Sequence, residues 1–98
     1  MNAYDIILAA IGTGEAAARP ADDLQKLTGL TAREVRKIIE GLRRAGHVII
    51  SSDNGYYFPE TVEELRRHIN KESKRARSIF FTLRSARELL DKWTDGGK

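Results

Sequence analysis

No cysteine occurs among the 98 residues. Disulfides, thiolate nucleophiles and cysteine-held metals are thereby excluded, and the composition fits a reducing compartment. Histidine is nearly as scarce. His47 and His68 stand on separate stretches of chain, so neither a metal site nor a cofactor is expected. No apolar run approaches the roughly 20 residues of a membrane span. The first residues also lack the basic stretch and cleavage pattern of a signal peptide. The expectation is a soluble, cytoplasmic protein with no membrane partner. Ser, His and Asp are present, yet no motif sets a nucleophile on a strained turn beside a base. Gly12-Thr13-Gly14 is followed by no Gly-Lys-Ser/Thr, so it does not read as a phosphate loop. An enzyme is not expected.

What is present is a globular composition, 41% hydrophobic and 32% charged, sized for one small domain and an appended element. The net charge is only +3, but its distribution is uneven. Residues 31–46 carry Arg33, Arg36, Lys37, Arg43 and Arg44 against Glu34 and Glu40. Residues 66–87 carry eight Lys and Arg against Glu72 alone, a net +7. Asp53, Glu60, Glu63 and Glu64 separate the two blocks. Paired basic blocks are the pattern of a polyanion-binding surface. The second block is open to three readings: contact with phosphates, the wet outer face of a dimer helix, or a surface for an acidic protein partner.

Along the chain, residues 3–11 read as a helix with Asn2 as its N-cap, and residues 12–18 as a small-residue loop. Pro20 suits the first turn of a second helix, Asp22 and Asp23 its positive end, and Leu24 with Leu27 its apolar side. Gly29 is placed to stop it. The third helix has the clearest start. Thr31 and Glu34 form a capping box, and Leu30 and Val35 sit as a hydrophobic staple. Val35, Ile38, Ile39 and Leu42 repeat at helical spacing, and Gly46 closes the pattern. Only residues 29–31 separate the two helices, which makes a helix-turn-helix. Residues 47–51, rich in Val and Ile, then Asp53-Asn54-Gly55 and residues 56–58, form a hairpin.

After Pro59 a second capping box, Thr61 and Glu64, opens a helical pattern that runs to about Trp93. Val62, Leu65, Ile69, Glu72, Ala76, Ile79, Leu83, Ala86, Leu90 and Trp93 alternate spacings of three and four. That is a heptad seam broken only at Glu72. Such a helix reaches roughly 48 Å at 1.5 Å per residue and needs something to pack on. A second copy of the chain is the simplest partner, with Ile69, Ala76, Ile79, Phe80, Leu83, Leu90 and Trp93 as the expected dimer contacts. The alternative is a loop over residues 70–75, with the last helix folding back.

Asp22-Asp23-Leu24, Gly29-Leu30-Thr31, Val35, Ile38, Leu42, Ala45-Gly46-His47-Val48-Ile49 and Gly55-Tyr56-Tyr57 resemble, in that order, the winged helix of the biotin-operon repressor type. The resemblance covers about residues 4–58. It implies a mainly α fold with a small β-hairpin wing: a winged helix-turn-helix over 1–59, a long C-terminal helix over 60–93 and a flexible tail over 94–98. No ligand-binding or enzymatic second domain corresponds to the rest of that family. The long basic helix instead looks like that of phage or mobile-element regulators and replication organisers.

Such a motif places its second helix in the major groove of double-stranded DNA. The resemblance and the helical phase together point to Thr31, Ala32, Arg33, Arg36 and Lys37 for base edges. Arg33, Lys37, Glu40 and Arg44 share the outward face, where Glu40 either accepts from a cytosine amine or, the favoured role, orders Arg36 and Arg44. Arg43 borders the core face as a phosphate contact or a snorkelling side chain. The wing offers Ser51, Ser52 and Asn54 as donors but no cation, so an auxiliary wing is expected. The expected function is sequence-specific duplex binding by a homodimeric transcriptional regulator. The alternative is a protein-interaction or replication-organising module that uses the winged helix as a docking scaffold.

Overall fold

A computed structural model describes residues 2–95. Its elements are α1 (Ala3–Ala10), β1 (Gly12–Thr13), a single 3-10 turn (Glu15–Ala17), α2 (Ala21–Thr28), α3 (Ala32–Arg44), β2 (Ile50–Ser52), β3 (Gly55–Phe58) and α4 (Val62–Asp95). The fold is therefore mainly helical, with a small mixed sheet of three strands and a long C-terminal helix. The chain falls into two units, the first ending at Leu65 and the second beginning at Arg66. The first turn of α4 thus belongs with the first unit.

In the first unit the helix ends follow local chemistry. Asn2 Oδ1 accepts from the Asp5 N–H at 3.0 Å and caps α1. Pro20 stands at the N-cap of α2, one position ahead of the first turn. Gly29 closes α2 in the left-handed conformation, φ 73° and ψ 12°. Thr31 and Glu34 form the reciprocal capping box at 3.2 and 3.0 Å. The core is one cluster built from Ile7, Ile11, Leu24, Val35, Ile38, Ile39, Leu42 and Ile49. Leu27 is exposed instead of forming an apolar side with Leu24. It sits about 60° round a two-turn helix at 3.6 residues per turn, and only Leu24 reaches the core.

The sheet departs from a simple hairpin. Its order is β1-β3-β2, with β3 central. β2 and β3 pair antiparallel, Ile50 opposite Tyr57 and Ser52 opposite Gly55. β1 runs parallel to β3, Gly12 opposite Tyr57 and Thr13 opposite Phe58. Residues 12–18 are accordingly not a plain loop, because their backbone groups are claimed by a distant strand. The Gly14 N–H donates to the Phe58 carbonyl at 2.8 Å, and Arg19 and Tyr56 exchange both backbone bonds at 2.8 and 2.9 Å. Residues 47–49 are irregular chain rather than strand. His47 and Val48 are both exposed while Ile49 and Ile50 are both buried, so the segment lacks strand alternation.

The start of α4 is held by Glu64, which is buried. Its Oε1 accepts from the Glu60 and Thr61 N–H groups at 2.8 and 3.4 Å, and Thr61 Oγ1 accepts from the Glu64 N–H at 3.1 Å. Glu64 Oε2 also accepts from the Glu15 N–H at 2.9 Å, tying α4 to the 3-10 turn. In the second unit α4 continues unbroken, helical through residues 70–75 as well. Thr94 and Asp95 are also helical, so the expected flexible tail does not begin at residue 94; residues 96–98 lie outside the described residues. Within the helix the Thr94 hydroxyl donates to the Leu90 carbonyl at 3.0 Å. Among the described residues no helix is long and apolar enough to cross a membrane.

Two glycines do different jobs. Nothing lies within 4 Å of where a Gly29 Cβ would stand, so Gly29→Ala is expected to cost only the left-handed backbone penalty, about 1–2 kcal/mol. Gly55 has φ 121° and a Cβ there would meet the Arg19 carbonyl, where the Arg19–Tyr56 bridge brings two backbones together. Gly55→Ala is expected to destabilise more than Gly29→Ala, and denaturant titration of both variants reads the order.

Candidate nucleic-acid interface

The third helix is oriented by its own composition. Val35, Ile38, Ile39 and Leu42 are all buried, and helical geometry then turns the intervening residues outward. Thr31, Ala32, Arg33, Arg36, Lys37, Glu40 and Arg44 are all exposed. The structure thus brings every base-edge candidate from the sequence onto one exposed face. Leu30, half-buried, packs against the core from the turn between α2 and α3. Thr28 stiffens that turn: its hydroxyl donates to the Leu24 carbonyl at 2.7 Å and accepts from the Leu30 N–H at 3.3 Å. Glu40 forms no ion pair with Arg36 or Arg44 among the described residues.

Glu34 faces the N-terminal end of this surface. The Thr31 backbone N–H holds its carboxyl below the ordinary value, with the Thr31 hydroxyl and the nearby Lys37 charge acting in the same direction. The ionised carboxylate is therefore the form the fold prefers, and it stands among cations at the exposed face.

Among the described residues Arg43 is the basic residue of α3 whose side chain hydrogen-bonds within the chain. Its Nε donates to the Ile49 carbonyl at 2.9 Å and a terminal nitrogen donates to Ser51 Oγ at 3.0 Å. It fastens the end of α3 to β2 and does not stand free as a phosphate contact. The hairpin tip is Asp53 and Asn54, both exposed. The Asn54 N–H donates to Ser52 Oγ at 3.2 Å, so Asn54 spends its backbone donor on the turn. A recess of about 290 Å³ between the start of α2 and the hairpin is edged by Asp22 and Asp53. Those carboxylates make it unsuited to phosphate.

In the second unit no residue from 66 to 95 is buried. Ile69, Ala76, Ile79, Phe80, Leu83, Leu90 and Trp93 are exposed along α4. Within the basic block Arg75 is matched by Glu72 at 3.9 Å and Arg84 by Glu88 at 3.5 Å. Lys71, Lys74, Arg77 and Arg87 form no ion pair among the described residues. No group of three or more His, Cys, Asp or Glu could hold a metal ion among the described residues. Comparison with protein-family models, curated proteins and solved structures finds no match for this chain.

Sequence reasoning missed two residues that shape this surface. The bonds of Arg43 reach a carbonyl and a hydroxyl several residues on, which no motif announces. Arg19 donates from Nε to the Ala10 carbonyl at 3.2 Å and lies 3.8 Å from Asp23. It pins the end of α1 beside the hairpin.

Two tests follow from these contacts. Arg43→Ala is expected to lower unfolding free energy by about 1 kcal/mol, and the exposed Arg44→Ala to change it by less than about 0.5 kcal/mol. Because the folded-state pKa of Glu34 is lowered, its stabilisation is present above the ordinary carboxylate range and is lost as pH falls through the lowered value. The stability gap between wild type and Glu34→Gln should therefore narrow between about pH 7 and about pH 3 in thermal melts.

Proposed function

We propose that this chain binds double-stranded DNA as a homodimeric winged helix-turn-helix protein and regulates transcription from a roughly two-fold operator. The observation that carries this reading is the outer face of α3. Arg33, Arg36, Lys37 and Arg44 are all exposed on the side opposite four core residues. Four of the five outward positions are basic, with Glu40 the fifth, and a helix entering the major groove calls for such an excess of cations. The tight turn from α2 to α3 supports it, since the same joint sets the second helix forward in helix-turn-helix proteins.

Roles follow from position. Thr31, Ala32, Arg33, Arg36 and Lys37 occupy the N-terminal end of α3, which meets base edges in this motif. An arginine there pairs with both O6 and N7 of guanine, a contact worth about 1–3 kcal/mol of discrimination. Arg44 and the unpaired cations of α4 suit phosphates, which strengthen binding without selecting sequence. Arg43 acts through the scaffold. A second reading, a protein-docking or replication-organising module of phage or mobile-element kind, is favoured by the hairpin tip. Asp53 stands there with no cation beside it in residues 51–55, and an acidic tip repels phosphate.

Titration of purified protein against random and genomic duplex fragments at two salt concentrations tests the proposal. Selective binding by a dimer is expected. Arg33→Ala and Arg36→Ala should each weaken the selected fragment by at least about tenfold, corresponding to a lost base contact. Unchanged affinity in both variants would remove these residues from the interface. Equal, steeply salt-dependent binding on every fragment would mean that only phosphates are read. No duplex binding at low salt would favour the docking module.

A further inference from the structure

The seam of α4 holds an asymmetry that bears on how two copies meet. It mixes large side chains (Ile69, Ile79, Leu83, Trp93) with two alanines, Ala76 and Ala86, and a single carboxylate, Glu72. α4 has no break between Val62 and Asp95, so all ten seam positions share one register. Ile69, Ile79, Leu83 and Trp93 are each about half exposed within one chain.

We infer that two copies pair antiparallel along α4, in the register that sets Ala76 against Ile79 and Ile69 against Ala86. The inference rests on the homodimeric reading above and adds its orientation. In a parallel, in-register pair each seam residue would meet its own copy. Glu72 would face Glu72, two like charges drawn out of water. Ala76 would face Ala76 and Ala86 would face Ala86, leaving gaps, while the indoles of Trp93 would compete for one space. Antiparallel pairing removes all three conflicts. Each alanine receives an isoleucine, and Glu72 meets Leu83 of the second copy with its carboxylate turned to the Arg75 flank.

The flanking residues agree. Phe80, 64% exposed, borders the seam where the helices cross the two-fold axis, so it meets its own copy there. That gives an exposed aromatic an apolar neighbour. On the opposite flank Arg75 meets its own copy, and Glu72 of the same chain, 3.9 Å away, offsets that charge. The six cations between Arg66 and Arg77 lie along residues 78–89 of the second copy. That stretch holds only Arg84, Arg87 and Glu88 among charged residues. Parallel pairing would lay the same six cations beside themselves.

The absence of native cysteine makes single-cysteine crosslinking of the full chain a direct test. Mild oxidation of mixed Ala76→Cys and Ile79→Cys copies, which face each other in this register, should give a disulfide dimer. Ile69→Cys and Ala86→Cys should give none alone and should crosslink when differently tagged copies are mixed. These positions are exposed in the single chain, and circular dichroism verifies that each variant remains helical. Rapid crosslinking of Ile69→Cys alone, or no crosslink between Ile69→Cys and Ala86→Cys copies, overturns the antiparallel register. A monomeric mass for the wild-type chain overturns the dimer itself. Both outcomes are read without DNA, so failure of duplex binding remains a separate result.

Discussion

Four side chains of α3 set the terms for the first unit. Val35, Ile38, Ile39 and Leu42 stand in a core of eight buried residues, and α1, α2 and the segment before β2 contribute the other four. A core this small has no spare side chains. A rotation of α3 by one residue would carry an arginine inward and leave its charge without a partner. The same burial that stabilises the unit therefore obliges Arg33, Arg36, Lys37 and Arg44 to face water. Fold stability and the exposed basic face are consequences of one helical period.

Around that core the chain uses polar side chains to close backbone groups. Glu64 satisfies N–H groups of Glu15, Glu60 and Thr61. Arg43 and Arg19 satisfy the carbonyls of Ile49 and Ala10. A charged partner makes each of these bonds stronger than a neutral one. The Glu64–Glu15, Arg43–Ile49 and Arg19–Ala10 bonds also tie together separate segments of the first unit. The small mixed sheet is fixed in this way at both edges, with β1 and the Arg19–Tyr56 bridge on one side of β3 and the Arg43 contact on β2 at the other.

The second unit has no interior. Its stretch of α4 is a single helix with every large apolar side chain exposed, and helices in water draw most of their stability from packing. The proposed antiparallel pair would supply that packing while keeping the cations of α4 at its outer faces. Orientation then comes from steric fit and from one carboxylate. Glu72, the sole acid among residues 66–87, is what makes the parallel arrangement costly.

By itself the sequence determined whatever depends on neighbours within one turn. The capping boxes at Thr31 and Thr61, the stop at Gly29, the apolar stripe of α3 and the unbroken run of α4 are all short-range patterns. The outward set on α3 was legible for the same reason, since a period read from four apolar positions fixes the rest. Only the tertiary structure decided what depends on residues far apart in the chain. A strand of two residues, Gly12 and Thr13, has no alternation to reveal it, and exists because β3 offers it hydrogen bonds. Leu27 left the core because two turns of helix bring only one side chain to it. Arg43 became a fastening, not a free cation, because β2 lies within reach. Backbone hydrogen-bond partners are chosen by proximity in space, and no local pattern carries that information.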